Sequence, residues 1–182
     1  MLISIRQAQF ADVPNLEKLI ALSVRGLSTG FYTPRQIESA LVHLFGVDTQ
    51  LIADGTYYVA EIDGQIVGGG GWSKRLTLFG GDQTKSGIVD RLLDPQTEAA
   101  RIRAFFVHPD WARRGIGRKI IEACEAAAKQ EKFSKLELAA TLPGEPLYAA
   151  VGYTRIELIN VSLPDGEILP IVRMAKNISL ES

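Results

Sequence analysis

The stretch from Val107 to Arg118 combines residue types that together can bind a phosphate group. It reads Val-His-Pro-Asp-Trp-Ala-Arg-Arg-Gly-Ile-Gly-Arg, which places a turn, three arginines and two glycines around the start of a helical pattern. The start of a helix leaves backbone N–H groups without partners and carries a partial positive charge, and both features attract anions. Glycines let the backbone approach a bulky ligand, because they carry no Cβ. This stretch therefore predicts a pyrophosphate site.

Two other nucleotide-binding patterns do not fit this stretch. The Gly-Lys-Ser/Thr sequence of a P-loop is missing, so magnesium-nucleotide chemistry has little support. A dinucleotide fold would need a third glycine at its own spacing and an acidic residue at the end of a second strand, and neither is present. An ordinary glycine turn with solvent-facing arginines is the remaining alternative to a pyrophosphate site.

A second motif further along the chain makes the first one more specific. Residues 147–153 read Leu-Tyr-Ala-Ala-Val-Gly-Tyr. The first motif, Val-x-Pro followed by Arg-Gly-Ile-Gly-Arg and an amphipathic helix, resembles motif A of the GNAT superfamily of N-acetyltransferases. The second resembles the later Tyr-x-x-x-Gly-aromatic motif of that family. The resemblance extends over nearly the whole chain, because the strand–helix–helix–hairpin opening also matches.

The resemblance implies both a fold and an activity. The fold would be a single α/β domain over residues 1–182, with a central mixed, mostly antiparallel sheet that is splayed at the CoA site and flanked by helices. The activity would be that of an acyl-CoA-dependent N-acyltransferase, specifically an acetyltransferase, with acetyl-CoA as the acyl donor and no metal. Transfer would be direct within a ternary complex: the amine attacks the thioester, a tetrahedral oxyanion forms and CoA leaves.

The resemblance also implies which residues form the donor site. The strand that ends at Val107 would offer backbone groups to the pantetheine arm, and the glycine-bearing stretch would hold the pyrophosphate through main-chain N–H groups. Ala112 stands where the family usually has Gln or Arg. Thr141 stands where Asn is common, so it would either contact CoA or cap the short helix that follows. The implied donor-site residues are Phe105, Phe106, Val107, Arg113, Arg114, Gly115, Ile116, Gly117, Arg118 and Thr141.

Tyr148 occupies the motif position of the family's proton donor, near the sulfur of CoA. A phenol with an ordinary pKa of about 10 stays protonated at neutral pH and can serve as an acid. The alternative is a core tyrosine on a short helix. Glu61, Asp94 and Glu98 are candidates for the general base by sequence proximity only. His108 precedes a proline in a turn, where a residue is more often exposed, so the general base is left unassigned.

The acceptor site is predicted from aromatic residues and from charge. An aromatic pocket favours a small, partly apolar primary amine over a peptide groove. Arg101 and Arg103 could recruit a carboxylate on such an acceptor. The glycines at 68–71 would allow either a bulge and the close approach of a ligand or an irregular edge strand. The candidate acceptor-lining residues are Phe31, Tyr32 and Trp72, together with Tyr148.

Composition and charge narrow the classes of function. The chain has 182 residues, 46% of them hydrophobic, and a formal net charge of -1, so nothing attracts it generally to nucleic acids or anionic membranes. Cys124 is the only cysteine, which excludes an internal disulfide and a four-cysteine metal site, and it is interpreted as a small hydrophobe on an apolar stripe. No signal-peptide pattern or long apolar run is found, so a cytoplasmic location is the default.

The elements that must position these residues are predicted from periodicity and turn signals. Asp63-Gly64 between two apolar runs predicts a hairpin, and apolar spacing from Ile116 to Glu131 predicts a long helix. The segment from about Gly80 to Glu98 is interpreted as a long connection. The other predicted elements are a strand over 2–8, helices after Asp12 and Thr33, strands over 101–107 and 135–139, a short helix over 145–151, and strands near 153–163 and 167–176.

Two other classes of function stay open at this level. One is a non-catalytic sensor that binds acyl-CoA without turnover, which the lack of an obvious base favours and the presence of Tyr148 opposes. The other is a protein-interaction domain in which the glycine turn is only structural. Exposed strand edges in this architecture often pair between subunits, so a homodimer is a further expectation.

Overall fold

A seven-stranded sheet forms the centre of the molecule, and helices cover both of its faces. The computed structural model describes residues 2–85 and 90–180, so residues 86–89 of the predicted long connection lie outside the described part. The strands are β1 Ser4–Gln7, β2 Tyr57–Ile62, β3 Gln65–Ser73, β4 Ala100–Val107, β5 Lys135–Thr141, β6 Thr154–Ser162 and β7 Ile168–Asn177. The helices are α1 Val13–Leu27, α2 Pro34–His43, α3 Thr49–Ala53, α4 Ile116–Gln130 and α5 Glu145–Ala150.

The order of the strands creates one opening in the sheet. The order is β1-β2-β3-β4-β5-β7-β6, and every neighbouring pair is antiparallel except β4 and β5, which run parallel. β4 and β5 pair only where Ala100 faces Leu136 and Arg101 faces Glu137. Beyond these residues the two strands separate, and this separation is the predicted splay of a mixed, mostly antiparallel sheet.

Different helices pack on the two faces of the sheet. α4 packs its apolar stripe on one face, where Ile116, Ile120 and Cys124 are buried, and we call this the α4 face. α1 and α2 cover the opposite face, which we call the α1–α2 face. The hairpin turn between β2 and β3 has positive φ at Asp63 and Gly64, as the Asp-Gly signal predicts.

The glycines of β3 leave room for side chains of α4 and β4 that pack directly against the strand. A Cβ on Gly68 would lie 2.6 Å from Cγ2 of Ile116, so glycine lets α4 approach the strand closely. A Cβ on Gly70 would lie 2.7 Å from the ring of Phe105. β3 lies between β2 and β4, so the alternative of an irregular edge strand is wrong. The bulge opposite Gly69 and Gly71 has its extra residue on β4, and the approach of a ligand to these glycines stays a prediction.

The predicted elements all occur, with ends that shift by up to two residues. The sequence analysis missed α3, a five-residue helix whose first turn is capped by the Asp48 carboxylate through the N–H of Gln50. A helix of this length is too short to show a helical periodicity in the sequence. No helix in the described part of the chain is long and apolar enough to cross a membrane.

Candidate functional site

A bulge in β4 shapes the opening between β4 and β5. Ala104 has a φ of 57°, a left-handed conformation that is uncommon for a residue with a Cβ. The Tyr57 hydroxyl donates a hydrogen bond to the Ala104 carbonyl at 2.8 Å, and the N–H of Val107 donates to the Ser23 hydroxyl at 3.2 Å. A bulge bends its strand and strengthens the local twist. These contacts tie the second half of β4 to β2 and α1, away from β5.

The turn over residues 113–118, which we call the 113–118 turn, presents a row of free backbone donors. Within the described part of the chain, its N–H groups donate to no protein acceptor, and the first bond at the start of α4 is Lys119 N–H to Gly115 at 3.1 Å. φ is positive at Arg113 (61°) and at Gly115 (83°). Such alternation turns successive N–H groups toward one point and forms a concave anion site. The geometry can therefore hold a phosphate through backbone alone.

The 113–118 turn is held in place by packing on both sides. Gly26 of α1 lets Pro109 lie against the helix, because a Cβ there would collide with the proline ring. Gly117 lets α5 approach in the same way, with Leu147 2.6 Å from a Cβ position. Among the residues that the structure describes, none lies within 4 Å of a Cβ placed on Gly115, so the mouth of the turn is open. The glycines of the motif thus serve both packing and access.

The arginines of the turn are exposed and leave the backbone site uncovered. Arg113, Arg114 and Arg118 all lie at the surface. The guanidinium of Arg114 stacks over the Trp111 ring at 5.0 Å, and this contact orients its charge beside the turn. These side chains add positive charge to the backbone site without filling it.

Tyr148 on α5 lies across the opening from β4. Its ring packs edge-to-face on Phe105 with the centroids 6.0 Å apart, and on Tyr153 at the same separation. Only 8% of the residue is exposed. Burial raises the pKa of Tyr148 above the ordinary tyrosine value, so the phenol is protonated at neutral pH. The structure therefore brings a protonated phenol next to the splayed strand.

The remaining predicted donor residues lie along the two strands that separate. Phe105 and Val107 pack with the α4 face, whereas Phe106 packs on the other face against Phe45, 6.2 Å between ring centroids. Thr141 ends β5, and its hydroxyl accepts a hydrogen bond from the N–H of Gly144 at 3.1 Å. Gly144 is the N-cap residue of α5, and the helix has no side-chain cap, so Thr141 does not cap it. A contact between Thr141 and CoA stays a prediction.

The three aromatic residues predicted to line the acceptor site are not brought together. Phe31 is 52% exposed in the turn before α2. Tyr32 is buried, and its hydroxyl donates to the Pro170 carbonyl at 2.7 Å and accepts from the N–H of Leu142 at 2.9 Å. Burial raises the pKa of Tyr32 to about 12. Trp72 lies on the α4 face in the core that contains Phe133, away from Tyr32.

Arg103 is bound within the protein, so it is not free to recruit a carboxylate as predicted. It is 3% exposed on the α1–α2 face and pairs with the Asp48 carboxylate at 2.8 Å. It also donates to the carbonyls of Thr77 and Gly80. Lys85 contacts the same carboxylate. Asp48 was missed by the sequence analysis, since a single aspartate in a loop carries no signal of burial.

The candidates for the general base are engaged elsewhere. Glu98 pairs with Arg91 at 2.7 Å, and that hydrogen bond lowers the pKa of Glu98 to about 2, which makes it a weak base. Glu61 pairs with Arg6 at 2.6 Å between β1 and β2. Asp94 accepts a hydrogen bond from the N–H of Gln96 within its own turn. The general base stays unassigned.

Neither the cysteine nor the acidic groups point to another kind of centre. Cys124 is fully buried on α4, and burial raises the pKa of its thiol well above the ordinary value, which disfavours a nucleophilic thiolate. Among residues 2–85 and 90–180, no group of three or more His, Cys, Asp or Glu side chains could hold a metal ion.

The splayed sheet, with an anion-binding turn at its mouth, defines an acyltransferase domain of the GNAT type. A family model described as an acetyltransferase (GNAT) domain matches residues 53–155, and the chain belongs to this family. It is an acyl-CoA-dependent acetyltransferase. A search of curated proteins finds no match to the sequence.

Solved structures show the same fold over almost the whole chain. A GCN5-related N-acetyltransferase from Rhodopseudomonas palustris is 22% identical, with a TM-score of 0.71 over 98% of this chain and 99% of that one. PaiA N-acetyltransferase from Thermoplasma acidophilum, in complex with coenzyme A, is 13% identical, with a TM-score of 0.63 over 97% and 99%. The putative acetyltransferase YncA from Salmonella typhimurium, with acetyl-CoA, is 16% identical, with a TM-score of 0.63 over 97% and 94%.

Proposed function

We propose that this protein, as one domain, transfers the acetyl group of acetyl-CoA directly to a primary amine of a small molecule, with Tyr148 as the general acid. The observation that carries the proposal is the position of Tyr148: it packs on Phe105 of the splayed strand, on the sheet face covered by the helix that starts at the 113–118 turn. A donor bound by the turn and extended along β4 would present its sulfur near this phenol.

The donor is held mainly by backbone groups in this proposal. The pyrophosphate lies on the free N–H groups of the 113–118 turn, and the open space at Gly115 admits it. The pantetheine arm enters between β4 and β5, where neither strand has a pairing partner on its inner edge beyond Arg101 and Glu137. Phe105, Phe106 and Val107 offer the peptide groups, and Thr141 borders the opening from β5.

Tyr148 acts when the C–S bond breaks. The amine nitrogen attacks the thioester carbonyl, the tetrahedral oxyanion collapses, and the sulfur leaves with the electron pair of the C–S bond. Burial raises the pKa of Tyr148, so the phenol is protonated at the working pH and can donate its proton to the developing thiolate. The phenolate is the stronger base of the two, so it regains a proton from solvent once the thiol has formed. The nitrogen loses one proton in the same reaction, and the net result is one proton moved from nitrogen to sulfur.

The segment after β3 favours a small acceptor. Carbonyl groups of Leu76, Thr77 and Gly80 accept hydrogen bonds from arginines of β4, which pulls this segment over the α1–α2 face of that strand. Gly81 is bonded to Leu44 at the end of α2, and this contact closes the segment against the helices. A segment in this position narrows the access to β4 and leaves no room for a long polypeptide to bind across the sheet.

The proposal is tested with Tyr148→Phe and a panel of amines. The wild-type protein should release CoA with at least one small amine, and Tyr148→Phe should lower kcat by roughly 10²–10⁴ while the Kd of acetyl-CoA stays within about threefold. Tyr153→Phe is the matched control, because it removes a hydroxyl from the same ring cluster that is bonded to Glu125 instead. An unchanged kcat in Tyr148→Phe would refute the assigned role.

A further inference from the structure

Tyr57 reaches across the sheet from β2 to a strand that is not its neighbour. It is 4% exposed on the α1–α2 face, in the buried cluster that contains Leu16 and Leu19 of α1. β3 lies between β2 and β4, and yet the Tyr57 hydroxyl donates a hydrogen bond to the Ala104 carbonyl of β4 at 2.8 Å. The phenol therefore passes over β3 and bonds the backbone of the strand beyond it.

Two glycines of β3 make this passage possible. A Cβ on Gly69 would lie 2.8 Å from the Tyr57 hydroxyl, and a Cβ on Gly71 would lie 2.9 Å from the Tyr57 ring. Both glycines face the α1–α2 side of the sheet, because alternate residues of a strand share a face. On this face of β3, the ring of Tyr57 thus occupies the space that two side chains would fill.

The bulge that Tyr57 bonds also reaches Tyr148 on the opposite face. Ala104 and Phe105 are the two residues of β4 that lie opposite the single residue Gly70. A Cβ on Gly70 would lie 2.7 Å from the ring of Phe105, and this ring packs edge-to-face on Tyr148. One bulge residue is therefore held by Tyr57 on the α1–α2 face, and the next places its ring against Tyr148 on the α4 face.

The backbone of the bulge needs such a support. The φ of 57° at Ala104 is unfavourable for a residue with a Cβ, and a conformation of this kind persists only where surrounding contacts fix it. The Ala104 carbonyl belongs to the same planar peptide unit as the N–H of Phe105. A hydrogen bond to that carbonyl therefore fixes the orientation of the whole unit, and with it the direction in which Phe105 leaves the strand.

We propose, building on the proposed transfer to a small amine, that Tyr57 is a positioning residue for this reaction, because its hydroxyl fixes the peptide between Ala104 and Phe105 that faces Tyr148 and the thioester. Tyr57 transfers no proton itself, since its hydroxyl is engaged on the α1–α2 face and Tyr148 lies on the α4 face. The 113–118 turn lies beyond the end of β4, so the loss of this hydroxyl should slow the chemical step and leave the binding of the donor intact.

The test compares two substitutions that each remove one buried hydroxyl. Tyr57→Phe keeps the ring, and its kcat for CoA release should fall roughly ten- to hundredfold, because a small displacement near the reacting atoms has effects of this size. The Kd of acetyl-CoA should stay within about threefold. Thr56→Val is the matched control: Thr56 is 6% exposed, and its hydroxyl donates to the Leu51 carbonyl at 3.3 Å, away from β4. It should keep the wild-type kcat.

Gly69→Ala disturbs the same contact from the other side. The added methyl would lie 2.8 Å from the Tyr57 hydroxyl and push it away from the Ala104 carbonyl, so kcat should fall as it does in Tyr57→Phe. Because both substitutions act on one hydrogen bond, the double variant should lose little more activity than the more impaired single variant. Losses that multiply in the double variant would contradict an effect through the hydroxyl.

The split between kcat and Kd separates positioning from a purely structural role. Full kcat in Tyr57→Phe would overturn the proposal, and so would equal losses of kcat in Tyr57→Phe and Thr56→Val. A weaker Kd for acetyl-CoA with unchanged kcat would also overturn it. If the wild-type protein binds acetyl-CoA and releases CoA with no amine, the proposed transfer itself is refuted, and the assignment of Tyr57 with it. An active wild-type protein with an unaffected Tyr57→Phe refutes the assignment of Tyr57 alone.

Discussion

The two sides of the opening in the sheet differ in the groups that form their surfaces, which are backbone groups on one side and side chains on the other. On the proposed donor side, the N–H groups of the 113–118 turn have no acceptor among the described residues and its arginines are exposed, so backbone groups would form the binding surface. On the proposed acceptor side, side chains form the surface: Arg103 is buried with Asp48, and Arg101 is paired with Glu137. A backbone site depends on the local conformation of one short segment. The acceptor side depends on residues that are far apart in sequence.

This difference predicts how each side responds to substitution. Removing a side chain from the donor side leaves the peptide groups in place, so affinity for acetyl-CoA should change little. Removing one partner from the acceptor side leaves a buried charge unpaired, which is costly. The following substitutions test the contrast in order of the expected effect.

The largest effect is expected from breaking the Arg103–Asp48 pair. Asp48→Asn leaves a buried guanidinium without its carboxylate and should lower the free energy of unfolding by about 3–5 kcal/mol, measured by urea denaturation. Asp54→Asn breaks the less buried pair with Arg75 and should cost about 1 kcal/mol. Equal losses in the two variants would contradict a special role for the buried pair.

A smaller loss is expected from Gly70→Ala. The added methyl would lie 2.7 Å from the ring of Phe105, so the ring must move, and overpacking of this kind costs about 1–3 kcal/mol. Because Phe105 also packs on Tyr148, kcat should fall together with stability. Urea denaturation and CoA release on the same sample check both parts. A stable variant with full activity would show that the ring position does not matter.

The smallest effects on affinity are expected at the exposed arginines. Arg113→Gln and Arg114→Gln should each weaken acetyl-CoA binding by less than about tenfold, because the backbone supplies the phosphate contacts. Calorimetry at low and high salt measures this, and the variants should also show a weaker salt dependence. A loss of more than about a hundredfold in either variant would mean that the side chains, not the peptide groups, hold the pyrophosphate.

The pH profile of turnover should not show the titration of Tyr148 near its ordinary value. Burial raises the pKa of this phenol, and its active form is the protonated one, so the acid is retained as the pH rises through ~10 instead of being half lost there. The measurement is kcat against pH at saturating acetyl-CoA. A decline in kcat centred at or below pH ~10 that is absent in Tyr148→Phe would contradict the assignment.

The conformation of the 113–118 turn could be predicted from sequence because its signal is local, whereas its role as the donor site stays a prediction. Gly115 and Gly117 within one short stretch, followed by an amphipathic helix, identify both the conformation and the free N–H groups. Tyr148 was located in the same way, by a motif on one short helix. The strands, the two hairpins and the long helix were also predicted, since period and turn residues act over a few positions.

The acceptor side could not be predicted, because its contacts join distant parts of the chain. Nothing near Asp48 in sequence indicates that it pairs with Arg103, which lies 55 positions away. Trp72 was predicted beside Tyr32, but the face on which a strand residue lies depends on its register in the sheet, and Trp72 packs with Phe133 beneath α4. The glycines of β3 were also ambiguous until their neighbours were known.

Titration calorimetry with acetyl-CoA tests the central claim most directly, with the wild-type protein and Tyr148→Phe measured side by side in moderate salt. The account predicts saturable one-site binding with similar Kd values for both proteins, followed by CoA release with an amine from the wild-type protein only. An absence of binding by the wild-type protein would contradict a backbone donor site in the 113–118 turn, and the exposed N–H groups would then belong to an ordinary turn.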